Sequence, residues 1–279
     1  MSSPGSISAA VVVHNEEAVI ERCLQSLHGA VDEIVLVHDG PCDDRTLEIA
    51  EGYGCRIFVQ PATGSPEQHT VFAYEQCKGE WLLNVDGDEY LSPELRRELR
   101  NLTSRPDVNG YWIRWRIWNG ERYVTERGPF KLVLFRARAA HLIGMNENWE
   151  QVEGRVERVH LDLHHEPRYD STSLRANWPK WRKRARVQAG QYLSDFSALP
   201  KFNYRGPQEW SRKRRVLNAL SPLIVIPYGL ATFAIALARE NDYYSLRQNL
   251  RFATYQGLYN AMVMYYVARA KYMPSRMRS

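Results

Sequence analysis

The sequence predicts an α/β fold: a mostly parallel sheet flanked by helices, followed by a basic, apolar α-helical region. Three observations carry this reading. Strand-like and helix-like stretches alternate regularly through the first 86 residues. The charge is divided unevenly, with 18 Lys+Arg against 28 Asp+Glu in residues 1–170 and 19 against 4 in residues 171–279. Two long uncharged stretches fall inside the basic part. At 279 residues with 44% hydrophobic positions, the chain is large enough for one sizeable domain plus an appendage, and too apolar to be mostly disordered.

The elements follow in order. Ile7 to Val13 is a short β-branched run, read as a buried strand. Glu16 to Leu27 has helical spacing, with Val19, Ile20, Cys23, Leu24 and Leu27 on one face. A second strand, Glu33 to Val37, leads through an Asp/Gly/Pro-rich turn to a helix around Leu47 and Ala50. Cys55 to Val59 is a third strand, followed by a loop and a helix over Val71 to Cys77. Glu80 to Val85 is a fourth, running into Asp86-Gly87-Asp88. This β-α-β-α-β-α-β order implies parallel pairing with right-handed crossovers. Ligands of such sheets bind at the carboxyl ends of the strands. Gly110 to Trp118 alternates Trp and Ile with Arg and reads as an exposed or edge strand; Lys131 to Phe135 reads as another strand.

From about Ser171 the chain reads as helical, broken into pieces by Pro200, Pro207, Pro222 and Pro227. Val216 to Ala238 carries no charge and is flanked by Arg212-Lys213-Arg214-Arg215 and Arg239; Phe252 to Ala268 is a second uncharged stretch, rich in Tyr and Met. The first is long enough to cross a bilayer, for which about 20 apolar residues suffice. Asn218, Ser221, Pro222, Pro227 and Gly229 favour instead a re-entrant or interfacial helix pair with basic residues at the headgroups. The basic half is therefore expected to face an anionic membrane surface, and the same apolar runs argue against nucleic acid as its partner. Domains are accordingly placed at 1–170 and 171–279. The four cysteines form no C-x-x-C pair, which fits a reducing compartment, and the polar Met1–Ser8 stretch predicts no secretory signal.

Three groups at strand ends carry chemistry. Asp86 and Asp88, at i and i+2, can both face a cleft, and their hard oxygens suit Mg²⁺ or Mn²⁺; Asp-Gly is also a common turn dipeptide. Asp39 precedes the helix cap expected from Asp43 or Asp44, so its carboxylate is expected to be free for a ligand N–H or hydroxyl. His14-Asn15-Glu16-Glu17 closes the first strand, with Glu17 expected in the first turn of the helix.

In order and position these groups resemble the inverting family 2 glycosyltransferases of the GT-A fold, and most of all the bacterial lipopolysaccharide-core glucosyltransferase type. The residues that carry the resemblance are Asn15-Glu16-Glu17, Cys23-Leu24-Gln25-Ser26-Leu27, Asp32 to Ala50, Gly79-Glu80-Trp81 with Asp86 to Glu89, and Arg127 to Arg136. The tail resembles the family's membrane-proximal end through Gln256-Gly257-Leu258-Tyr259 and a basic terminus.

The resemblance implies a Rossmann-like sheet with helices on both faces. It implies that Asp39 holds the base of a nucleotide-sugar, UDP-linked as is usual in the family, with His14 and Glu16 lining that pocket. Asp86 and Asp88 would hold the metal, Mg²⁺ or Mn²⁺, and the diphosphate sugar, with Arg127 and Lys131 as candidates to neutralise the pyrophosphate. The family's base is a Glu in a His-Glu pair; Asn146-Glu147 stands there, and Glu150 is a rival base. His164 or His165 matches a later family His, either structural, which is the expected role, or a further metal-side contact. The expected acceptor is a lipid-linked or lipopolysaccharide-type glycan, reached from the cytoplasmic face of a membrane. A polyprenyl-phosphate acceptor, or a non-catalytic membrane adaptor built on a degenerate transferase domain, is the alternative. Two departures stand out: Thr70-Val71, or the displaced Gln68-His69, replaces an Arg-Asn pair, and Gly40-Pro41-Cys42-Asp43-Asp44 replaces Gly-Ser-Thr-Asp-Gly.

Overall fold

The computed structural model describes residues 5–124, 128–144, 150–204, 209–238 and 246–272. The chain divides into two compact units, one of residues 1–171 with 200–204, the other of 172–199 with 205–279.

The first unit runs β1 (Ile7–Val13), α1 (Ile20–Leu27), β2 (Glu33–Asp39), α2 (Thr46–Gly52), β3 (Arg56–Gln60), α3 (Thr70–Gln76), β4 (Trp81–Asp86), β5 (Glu89–Leu91), α4 (Pro93–Thr103), β6 (Gly110–Ile117), β7 (Phe130–Arg136), β8 (Ala140–Ile143), β9 (Gln151–Val152) and β10 (Val156–His165). Eight strands form one sheet in the order β3-β2-β1-β4-β7-β6-β10-β5. β3, β2, β1 and β4 are mutually parallel, as are β6 and β10, whereas β7 and β5 run against their neighbours. The mostly parallel α/β sheet expected from the sequence is thus present.

Period-2 alternation sends side chains to two cores. Ile7, Ala9, Val11 and Val13 of β1, Ile34 and Leu36 of β2, and Trp81, Leu83 and Val85 of β4 pack with α1 and α4. Ala10, Val35, Val37 and Leu82 face the other way, onto Val71 and Tyr74 of α3. Helices therefore cover both faces, and the chain reverses direction across the sheet between β1 and β4. That switch point is where an open α/β sheet leaves a crevice at its carboxyl ends.

Three sequence expectations change. β6 is interior, hydrogen-bonded to β7 on one side and β10 on the other, not at an edge. Its alternating arginines read as solvent-facing, but Arg114 and Arg116 both pair with Asp162 of β10, and Tyr111 and Ile113 are fully buried. α1 begins at Ile20, so Glu17 precedes the helix and its carboxylate accepts from the backbone N–H of Arg45 instead. Residues 200–204, assigned from sequence to the tail, belong to the first unit, where β11 (Lys201–Phe202) pairs antiparallel with β8.

The second unit holds α5 (Leu174–Leu193), α6 (Glu209–Ala238) and α7 (Leu246–Tyr272). Its core is built from Trp181, Ala185 and Ala189 of α5 with Tyr259, Val263, Met264 and Val267 of α7. α6 and α7 approach closely at two glycines: a Cβ on Gly257 would lie 2.9 Å from both the Gly229 carbonyl oxygen and the Phe233 Cβ. Pro222 and Pro227 do not break the chain as expected; both lie inside α6. Pro222 has no N–H for the carbonyl four residues earlier, that of Asn218, and the Ser221 hydroxyl donates to that oxygen at 3.0 Å. Arg215–Ala238 is long and apolar enough to cross a membrane. Its side chains are largely uncovered, Leu223 being 75% and Ile226 71% exposed.

Candidate active site

Sheet geometry brings the predicted residues to one place. His14 follows β1, Asp39 ends β2 and Asp86 ends β4; by strand parity all three project toward the face covered by α3. β1 lies between β2 and β4, which puts Asp39 and Asp86 roughly 10 Å apart across two strand spacings.

At the β2 end, Asp39 is 1% exposed and its carboxylate is not free, as the sequence suggests, but engaged. Oδ1 accepts from the Thr63 backbone N–H (2.6 Å), the Thr63 hydroxyl (2.9 Å) and His69 Nε2 (2.9 Å), and Oδ2 from the Gly64 N–H (3.1 Å). Burial alone would raise its pKa; the Thr63 and His69 bonds outweigh burial and hold it below the usual carboxylate range. Oδ2, with one donor, keeps room for another. His69, from the Gln68-His69 departure, is therefore one of the side chains that hold Asp39 in place.

The loops after β1 and β2 are stapled together. His14 Nδ1 donates to the Asp39 carbonyl at 2.6 Å, and the Asn15 N–H donates to His38 Nε2 at 3.1 Å, which leaves the proton of His38 on Nδ1 for the Gly40 carbonyl at 2.8 Å. The Glu16 N–H donates to the Thr46 hydroxyl (2.7 Å) and the Glu17 N–H to Asp44 Oδ2 (3.0 Å). Asp44 Oδ1 also accepts from the Thr46 N–H at 2.9 Å just ahead of α2, whose N-cap position is held by Arg45 and not by Asp43 or Asp44 as expected.

At the β4 end the charges are balanced differently. Lys131, on β7 and 8% exposed, donates to Asp86 Oδ2 (2.9 Å) and to both oxygens of Glu89 (2.8 Å each). Burial pulls the Lys131 pKa down, but the Asp86 and Glu89 carboxylates push it well above its usual value, so the ammonium stays charged. Its three hydrogen bonds hold it between the two carboxylates, where the buried cation balances Glu89, which is itself fully buried. Glu89 gave no signal in the sequence beyond its place next to Asp88. Asp86 is half-exposed, with Oδ1 left open. Asp88 Oδ2 lies 3.5 Å from His165 Nε2; burial lowers the His165 pKa, but Asp88 foremost raises it overall. Between the two aspartates Gly87 is required by space: a Cβ there would lie 2.8 Å from Val13 Cγ1 and 3.4 Å from Glu16 Cγ.

Glu150 joins the same face. Its Oε1 accepts from the Tyr74 hydroxyl of α3 (2.5 Å) and from Asn84 Nδ2 of β4 (3.3 Å), one pleat before Asp86. Burial raises the Glu150 pKa despite the Tyr74 bond. Arg127 and Glu147 lie outside the described residues. Among the described residues no three His, Cys, Asp or Glu side chains are grouped to ligate a metal. Asp86 and Asp88 carry hard carboxylate oxygens, the donor type of which a Mg²⁺-type ion takes one or two beside substrate phosphates, and each is also paired to a basic side chain, Lys131 and His165.

The chain is similar in sequence to proteins described as glycosyltransferases. An uncharacterized glycosyltransferase of Rickettsia bellii (strain RML369-C) is 38% identical over 105 residues, covering 38% of this chain and 35% of that protein. The lipopolysaccharide core biosynthesis glycosyltransferase LpsC of Rhizobium meliloti (strain 1021) is 33% identical over 115 residues, covering 40% and 41%. The match thus spans about a third of the first of these relatives. The crystal structure of S. aureus TarS superimposes with a TM-score of 0.47 at 16% identity, over 93% of this chain and 54% of that one. The family profile described as glycosyl transferase family 2 matches residues 8–156, rather more than half of the chain and nearly all of the sheet that carries Asp39, Asp86, Asp88 and Glu150. With the switch-point site and the family profile falling on the same residues, the chain belongs to glycosyl transferase family 2.

Proposed function

We propose that the protein is an inverting, metal-dependent glycosyltransferase that moves a sugar from a nucleotide-sugar, UDP-linked, to a hydroxyl of a lipid-linked or lipopolysaccharide-type glycan at a membrane. The observation that carries this reading is the convergence of Asp39, Asp86 and Glu150 on one face of the sheet, with Asp88 two residues beyond Asp86, at the switch point of a family 2 domain. Asp39, rigidly held by Thr63 and His69, accepts an N–H of the nucleotide base on Oδ2, with His14 and Glu16 framing the pocket from the β1 loop. Asp86 and Asp88 hold the metal, which when bound offsets the charge that grows on the leaving diphosphate. Lys131, which donates to Asp86 Oδ2, and Arg127 are the candidates to neutralise the pyrophosphate.

A Glu takes the proton of the acceptor hydroxyl, Glu147 or Glu150, worth roughly 10²–10⁴-fold. The hydroxyl oxygen attacks the anomeric carbon in line with the leaving group, so an α-linked donor yields a β-linked product. The LpsC relative, a lipopolysaccharide core glycosyltransferase, supports a glycan acceptor. The exposed apolar side of α6, with basic α5 in the same unit, supports a seat on an anionic bilayer, and the side we propose for it is the cytoplasmic one. Replacing Leu223 and Ile226 together by Glu should then abolish flotation of the protein with anionic vesicles; undiminished flotation contradicts the seat.

The test of the reading is nucleotide release from a panel of UDP-, GDP- and dTDP-sugars with Mn²⁺ or EDTA and detergent-solubilised membrane lipid. Metal-dependent release from one donor is expected. Absence of both binding and release for every donor overturns the reading. Release that requires a polyprenyl phosphate in place of a glycan reassigns the acceptor, and binding without any turnover points to the adaptor.

A further inference from the structure

Glu150 is an acid placed where an acid is costly to keep. Burial disfavours its charge, yet two side-chain donors are built around one of its oxygens. Tyr74 is itself 2% exposed, and its ring is wedged edge-on against Phe135 (centroids 5.7 Å apart) and Phe202 (5.4 Å), so the phenol cannot swing away from Oε1. Asn84 reaches the same oxygen from the strand that ends in Asp86, which ties Glu150 to the diphosphate-side aspartate through two residues of rigid backbone. Such an arrangement is expensive for a purely structural carboxylate and economical for one that must stay oriented while it gains a proton.

We propose that Glu150 is the base of the transfer reaction and that Tyr74 and Asn84 are its positioning residues. The inference rests on the glycosyltransferase reading and deepens it by choosing Glu150 over Glu147. Because both side-chain donors sit on Oε1, Oε2 takes the proton of the acceptor hydroxyl. As that proton moves to Oε2, the acceptor oxygen bonds to the anomeric carbon, and the bond from that carbon to the diphosphate oxygen breaks with its electron pair. The Tyr74 phenol keeps its proton throughout, its own pKa being pushed far up, by burial first and by the Glu150 charge next. The charged groups facing Glu150 are Asp86 on β4, which disfavours its ionisation, and Lys131 on β7, which favours it.

The experiment is the pH profile of kcat/KM for the full-length protein with its metal, donor and membrane-lipid acceptor, in the wild type and in Tyr74→Phe, Asn84→Ala, Glu150→Gln and Glu147→Gln. Tyr74→Phe removes a hydrogen bond to the charged form, so the acid limb should move up by about one to two pH units, with the donor Kd unchanged. Asn84→Ala should move it the same way by less, and carries the test if Tyr74→Phe does not fold. Glu150→Gln should lose about 10²–10⁴ in turnover while binding donor normally. An acid limb unmoved in a folded Tyr74→Phe or Asn84→Ala protein overturns the positioning role. Turnover retained in Glu150→Gln but lost in Glu147→Gln overturns the base assignment. Both results leave wild-type transfer intact, whereas a wild type that neither binds nor turns over any sugar nucleotide removes the glycosyltransferase reading and this inference together.

Discussion

The carboxyl ends of β2 and β4 each present an aspartate to the same crevice, and they hold it in opposite ways. Asp39 is buried and fixed by donors from one short loop, Thr63 to His69. Asp86 is half-exposed and balanced by a buried ammonium that also serves Glu89, while Asp88 faces a histidine. The first arrangement is pre-set for a flat group with a fixed hydrogen-bond pattern. The second leaves Asp86 half-exposed beside the Lys131 ammonium and sets Asp88 against His165, so it relies on neighbouring charged side chains where the first relies on loop donors. Strand position is shared; what differs is the partner that the rest of the sheet supplies.

The largest expected effect falls at the β4 end. Asp88→Asn should lower transfer by about 10³-fold, the several kcal/mol a metal-held leaving group is worth, with the melting curve unchanged. Activity retained in Asp88→Asn with excess Mn²⁺ would remove the distinction drawn between the two ends.

The next effect is on stability. Lys131→Met leaves Glu89 buried without its cation and should cost about 3 kcal/mol in urea unfolding, the low end of the range for a broken buried pair because Asp86 is half-exposed. Adding Glu89→Leu should recover most of that loss. If the double variant is as unstable as the single, Lys131 stabilises the sheet by packing and not as a counter-ion.

The smallest effect separates the two ends by pH. Asp44, which staples the β1 and β2 loops, has a carboxyl pKa lowered from 3.8 to about 2; burial opposes the shift, and the bonds from Thr46 and Glu17 outweigh it. A depressed folded-state pKa stabilises the protein above the unfolded value, and that contribution is lost as pH falls through the folded one. Between pH 5 and pH 2.5 the wild type should therefore lose slightly more stability than Asp44→Asn, by less than about 1 kcal/mol at a site that solvent still reaches. Equal losses would mean that the staple does not depend on the Asp44 charge.

The legible and illegible parts of the site differ for physical reasons. Asp39, Asp86 and Asp88 were visible because an acid directly after a β-branched run is a local pattern, and so was the parallel order of the first four strands. Lys131 was visible as a cation but its protein neighbours were not, since nothing local reveals that β7 lies beside β4 and points an ammonium at Glu89. β6 was misplaced at an edge for the same reason: its arginines are answered by Asp162, almost fifty residues away. Tyr74 and Asn84 carried no signal, because a core tyrosine and a strand asparagine are ordinary until Glu150 is brought to them. In α6 the prolines read as breaks because a lost backbone donor is a local fact, whereas its replacement by the Ser221 hydroxyl is a matter of conformation.

By itself the sequence determined the alternation of strands and helices, the split between an acidic sheet and a basic, apolar tail, and the acids at the strand ends. All of these follow from periodicity and composition within a few residues. Only the tertiary structure decided which of those acids are locked, which are compensated and which are left to react. Burial, a neighbouring charge and a hydrogen-bond donor set the state of a carboxylate, and here all three are supplied by residues distant in the chain.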